Sequence, residues 1–158
     1  DSAQALLDKG ADVIAMHQDS TAAGEKAEAA GARWVSYNSD MSAFAPNAFL
    51  TAPVWDWGPR YVEIIEAAKA GTYEPDAYWG SMADGVVDIA DIAADVDAGV
   101  KAAVADKKAA IIAGNFHVFS GPINDQDGHL VVAAGETMDD GSMLGMDFFV
   151  EGVIGSTG

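Results

Sequence analysis

The sequence predicts an α/β fold built on a parallel sheet, and three observations carry that prediction. The apolar period switches along the chain between short continuous runs and 3.6-residue spacing. Glycines stand where the helical stretches stop. Strand, helix and strand follow one another within about thirty residues, the spacing of a βαβ crossover that pairs its strands in parallel.

The elements follow in order. Residues 3–9 place Ala3, Leu6 and Leu7 on one helical face and stop at Gly10. Residues 12–17 form a short apolar run of the buried-strand type. Ser20 or Thr21 is positioned to cap a helix over residues 22–30, which carries Glu25 in its first turn and ends at Gly31. Residues 33–38 read as a second strand and residues 47–51 as a third extended run. A helix around residues 59–70 then aligns Tyr61, Ile64, Ile65 and Ala68 and closes at Gly71. Residues 77–81 and 85–89 are expected to be extended, and residues 97–113 to form a long helix ended by Gly114. Residues 116–119 and 129–132 read as two strands around a hairpin turn at residues 124–128. The stretch 143–153 is mixed and is compatible with a final short helix. The chain starts inside a helix, and so few core strands would leave a sheet edge uncovered, so the sheet is expected to be completed by residues ahead of Asp1.

Composition narrows the function. The 158 residues weigh 16.3 kDa and are 50% hydrophobic, enough for a real core and against intrinsic disorder. Twenty-five acidic residues against eight basic ones give a net charge of −17 and a pI near 4.1. Such a surface repels phosphate backbones and anionic lipid, so no nucleic-acid partner is expected. No apolar stretch has the length of a spanning helix, so no membrane insertion by this chain is expected. With no cysteine there is no disulfide, thiolate metal site or cysteine nucleophile. Phosphate-loop, dinucleotide, nucleophile-elbow and zinc-protease motifs are missing. An EF-hand register counted from Gly128 would put Ile123 and Ala134 at ligand positions, so the 125–128 run reads as a turn. His17, His117 and His129 are scattered, and neither a metal nor a cofactor is expected.

The better signal is positional. His17, Gln18, Asp19 and Ser20 follow the first full strand, and Asn38, Ser39 and Asp40 follow the next. Ligands of open parallel sheets bind in the crevice at such strand ends. The competing reading makes Asp19 and Ser20 helix caps and Asp40 a turn residue. Aromatic residues gather nearby. Trp34 and Trp57 read as core, whereas Trp55 and Trp79 lead to or from the same rim and suit stacking on a planar ligand.

Several blocks together resemble one family: DVIAMHQDS (residues 12–20), YNSDMSAFAPN (37–47), TAPVWDWGP (51–59), FHVFSGP (116–122), DQDG (125–128) and GMDFFVEG (145–152). They are similar to the basic membrane protein, or PnrA-like, substrate-binding proteins of ABC transporters, over nearly the whole chain. The resemblance implies a partial type I periplasmic-binding-protein fold, mostly its second lobe. Residues 1–48 and 84–158 would build that lobe, and residues 49–83 would cross the hinge into the first. It also implies a purine base or nucleoside as ligand, an ABC permease in the inner membrane as partner, and no catalysis. The location implied is periplasmic or extracellular, with a lipid anchor through an earlier amino terminus as one form. By carry-over, Asp40 matches the family's ribose-binding aspartate, and residues 17–20 match a pocket-lining loop. Trp55 stands where nucleoside-binding members have a ribose-contacting lysine, which shifts the expected ligand toward a free purine. A sensory domain of the same fold and a nucleoside hydrolase using Asp19 and Asp40 are the alternatives.

Overall fold

A computed structural model describes residues 2–156. They form two compact units, one running up to Ile112 and the other from Ala113 onward.

The first unit opens with helix α1 (Ser2–Leu7), strand β1 (Val13–Ala15), helix α2 (Ala22–Ala29), strand β2 (Arg33–Val35) and strand β3 (Phe49–Thr51). The three strands form a parallel sheet in the order β1-β2-β3, with Ile14 opposite Trp34 and Trp34 opposite Phe49. The expected crossover is therefore present. It forms because Ile14 and Trp34 are the apolar residues whose burial requires a cover, and α2 supplies one with Ala23, Gly24 and Ala27. The core is otherwise made of small residues: Ala32, Ala45, Ala48 and Ala52, with Met41 and Phe49. Among the described residues Trp34 is the one large side chain sealed completely within it, edge-on to Phe49 at 6.2 Å between ring centroids. Gly31 leaves α2 with a φ of 71°, a conformation that a β-carbon would disfavour.

Strand β4 (Pro53–Trp55) continues from β3 and pairs antiparallel with β5 (Val87–Ile89) as a separate two-stranded ribbon. Between them lies helix α3 (Gly58–Ala70), closed by left-handed Gly71 as expected. The hydroxyl of Thr51 donates to the carbonyl of Ala90 at 2.7 Å and ties the end of β3 to the strand returning through β5. Arg33 on β2 grips Asp95 through both terminal nitrogens, at 2.6 and 3.0 Å. Helix α4 (Ala98–Ile112) is capped by Asp97, whose carboxylate accepts from the N–H of Gly99 and of Val100.

The second unit holds strands β6 (Ile123–Asn124) and β7 (Leu130–Val132), paired antiparallel, and helix α5 (Asp140–Leu144). Its expected hairpin turn is present, because the Asp125 carboxylate accepts from the N–H groups of Asp127 and His129.

Three expected elements differ. Residues 116–119 form no strand. The residues abutting the Asp125 turn are Ile123 and Asn124, so they pair with β7, and the apolar 116–119 run lies too far upstream. Residues 77–81 are irregular, since Ser81 turns on itself through two bonds to Asp84. The last helix precedes its expected place. Asp139 caps it by accepting from the Ser142 N–H, and Gly145 ends it before residues 146–153. No helix among the described residues is long and apolar enough to cross a membrane.

Candidate functional site

The residues after β1 and β2 meet at the same end of the parallel sheet. Buried Ser36 starts the second loop: its hydroxyl donates to the Ser39 carbonyl at 3.2 Å, and the Ser39 N–H donates to the Tyr37 carbonyl at 2.9 Å. This tight turn puts Asn38 at a φ of +66°, the left-handed region that asparagine tolerates better than most residues. From there the Asn38 side-chain amide donates to Asp19 Oδ1 at 2.6 Å, and its carbonyl oxygen accepts from the Trp55 indole N–H at 2.5 Å. Loops after β1 and β2 and the end of β4 are thus joined by one side chain. The Tyr37 ring lies between, 4.1 Å from His17 and edge-on to Trp55 at 6.5 Å.

Trp55 also lines an apolar groove of about 420 Å³ with Trp57, Tyr78, Trp79 and Val86. Trp55 and Trp79, separated by α3 in sequence, therefore share one wall, with Trp79 57% exposed. Trp57 is a correction: it is 41% exposed and stands edge-on to Tyr78 at 6.3 Å, outside the core. Its strand neighbourhood ends at Trp55, so nothing carries the Trp57 indole inward to the sheet. Tyr78 was missed by sequence reasoning. Its ring supports the Arg60 guanidinium at 4.4 Å, and Arg60 is held in turn by Asp76 at 2.6 Å and Glu63 at 3.0 Å. The signal available was its position beside Trp79.

The other candidates are not drawn into this set. Asp40 turns back to accept from the Ser42 N–H at 2.8 Å and lines a different hollow, with Pro46, Asn47, Asp91 and Asp95. Ser42, through its hydroxyl and its N–H, holds the Asp40 carboxyl below the usual carboxylate range. Ser20 accepts from the Ala22 N–H at 3.2 Å, so it serves the start of α2, while Gln18 and Ser39 are exposed. In the second unit, ligand atoms of Asp125, Asp127 and His129 lie within 4.8 Å of one another, a grouping the spacing of histidines did not suggest. Asp125 already bonds the His129 ring at 3.0 Å and two backbone N–H groups, so the turn itself accounts for the grouping.

Residues 1–116 match the family described as ABC transporter substrate-binding protein, PnrA-like (Bmp). The chain belongs to the Bmp family. Two relatives match nearly all of the chain. A purine-binding protein of Brucella abortus is 41% identical over 97% of this chain and 43% of its own length. A putative ABC transporter glucose-binding protein of Haloferax volcanii is 36% identical over 98% of this chain and 37% of its own. The chain thus spans less than half the length of either relative. Among solved structures, an ABC transporter solute-binding protein of Conexibacter woesei superposes with a TM-score of 0.57 at 21% identity, covering 73% of this chain and 40% of that one. A transcriptional activator of the comK gene from Bacillus halodurans gives 0.64 at 20%, over 73% and 41%. The fold of this Bmp chain is accordingly that of the solute-binding proteins, in part.

Proposed function

We propose that this Bmp-family chain supplies one wall of the ligand cleft of an ABC importer's solute-binding protein, and that the ligand is a purine base in preference to its nucleoside. The observation that carries the reading is the Trp55–Trp79 groove, whose Trp55 bonds Asn38 in the loop that follows β2. A flat heteroaromatic ring matches an indole wall, and base–aromatic stacking contributes about 1–3 kcal/mol per base. A ribose would lose the charged donor that lysine supplies at the Trp55 position in nucleoside-binding relatives, a loss of about 1.5–3 kcal/mol. Both effects favour the free base, by roughly ten-fold or more after imperfect geometry. The purine-binding relative supports the same class of ligand.

In the same reading residues 1–48 and 84–158 belong to the second lobe and residues 49–83 cross the hinge. Closure of two lobes over the ligand presents a shape that a permease recognises. Work of this kind belongs in the periplasm or outside the cell. It needs no catalytic residue, and the carboxylates a hydrolase would use are engaged elsewhere: Asp19 by Asn38 and Asp40 by Ser42.

Calorimetric titration of the intact protein with adenine, hypoxanthine, guanine, their nucleosides and glucose tests the proposal. Adenine or hypoxanthine should bind most tightly, and Trp55→Lys should shift the preference toward nucleosides. Tighter binding of nucleosides or glucose by the unmodified protein would refute it.

A further inference from the structure

Asn38 stands between a group that only accepts and a group that only donates. A carboxylate such as Asp19 has no proton to give, and an indole N–H such as that of Trp55 has no lone pair to offer. The side chain bridging them must present a donor on one end and an acceptor on the other. It must also sit on a backbone at φ +66°. Asparagine meets all three requirements. Aspartate would bring a second carboxylate against Asp19, glycine would keep the backbone and lose both bonds, and leucine would fail each condition. The two bonds also determine the orientation of the amide, with its nitrogen toward Asp19 and its oxygen toward Trp55.

For Trp55 the consequence is specific. Its ring is 39% exposed at the end of β4, where an indole held by nothing would sample several rotamers. The bond to Asn38 and the edge of Tyr37 at 6.5 Å hold one of them. The same bond consumes the single hydrogen-bond donor the indole has, so what Trp55 offers to a ligand is its face. A hydroxyl-rich ligand gains no donor from the Trp55 indole, and a flat ring gains a surface already in place before binding.

We propose that Asn38 is the positioning residue that locks Trp55 as a donor-free stacking face, and that it thereby sets the preference for planar heteroaromatic ligands over sugars and ribosides. This rests on the purine reading above, and the test separates the two. The Trp55 indole N–H is followed by nitrogen-15 NMR in the ligand-free intact protein, identified as the resonance lost in Trp55→Phe. Adenine and adenosine binding are measured on the same samples by calorimetry. In Asn38→Gly, which keeps the left-handed backbone, the indole resonance should move toward that of a solvent-exposed indole. Adenine affinity should fall about ten-fold or more, with a smaller loss for adenosine. Asn38→Asp should also lose affinity, through repulsion from Asp19. The exchanged pair Asp19→Asn with Asn38→Asp recreates a donor facing an acceptor at each end, and it should return adenine affinity to within about three-fold of the unmodified protein. An indole resonance unmoved by Asn38→Gly overturns the proposal whatever the ligand results. So does unchanged adenine affinity in Asn38→Gly, or an exchanged pair no better than the worse single variant. If the resonances respond as expected but adenine binds to none of the proteins, the purine reading falls together with the ligand preference assigned to Asn38, while the lock on Trp55 stands.

Discussion

Gly24→Ala on α2 sets helix propensity against packing. In an exposed helix interior this change stabilises by about 0.5–1 kcal/mol, because glycine has more backbone freedom to lose. Here a β-carbon on residue 24 would fall inside 3.0 Å of three atoms of the Trp34 ring, closer than real β-carbons come. Trp34 is fully buried against the sheet, with Phe49 on one edge, so its ring has little room to retreat. Either α2 lifts from the sheet or the indole leaves its rotamer, and overpacking of that kind costs about 1–3 kcal/mol or more. After subtracting the propensity gain, Gly24→Ala should destabilise by about 1–2 kcal/mol, a fall in Tm of roughly 2–8 °C for a protein of this size. Urea unfolding of the intact protein measures it, with the midpoint moving and the slope unchanged. The double variant with Trp34→Phe should recover much of the loss, since the smaller ring yields the space. It also removes a buried indole nitrogen that finds no hydrogen-bond partner among the described residues. A Gly24→Ala protein more stable than its parent would refute the packing argument and leave propensity in charge.

Thr51→Val removes the hydroxyl that bonds the Ala90 carbonyl and should cost about 1–2 kcal/mol in the same unfolding assay, the range for a lost bond with its acceptor left unpaired. Asp125 holds the His129 imidazolium above the ordinary histidine pKa, while His129 and the turn N–H groups hold the Asp125 carboxyl below the ordinary carboxylate value. The raised histidine stabilises below its unfolded pKa and loses that as pH rises through its folded value. The depressed aspartate stabilises above its unfolded pKa and loses that as pH falls through its folded value. The hairpin should therefore be tightest between the carboxylate and histidine titrations, and proton NMR of His129 should show its pKa return toward normal in Asp125→Asn. Gly121→Ala should disrupt the second unit, because a β-carbon there would collide with the Ala133 carbonyl. Loss of amide protection at Val132 and Asn124 by hydrogen exchange would report it, and unchanged protection would count against the collision.

Local chemistry made much of the first unit legible in the sequence. Helix α2 ends at Gly31 and α3 at Gly71, each with a φ of 71°, because a left-handed residue after a helix is a property of the glycine itself. The β1–α2–β2 crossover followed from apolar runs of strand length with a helical period between them, and Trp34 went to the core as its pattern required. Trp57 did not. Two residues past Trp55, it left the ribbon, and whether an aromatic is covered depends on what reaches it from elsewhere. The 116–119 run failed for a related reason: a strand exists through its partner, and β7 was taken by the residues nearest the turn. The candidate site divides along the same line. The residues ending β1 and β2 were readable because strand ends are local. The choice among them was not, since Asn38 meets Asp19 and Trp55 from 19 and 17 residues away, and Asp40 was drawn off by Ser42 two residues on. Residue type and period determine where an element starts and stops. Which side chains meet depends on contacts between distant segments, and those come into being only when the sheet, its cover helix and the β4–β5 ribbon are assembled together.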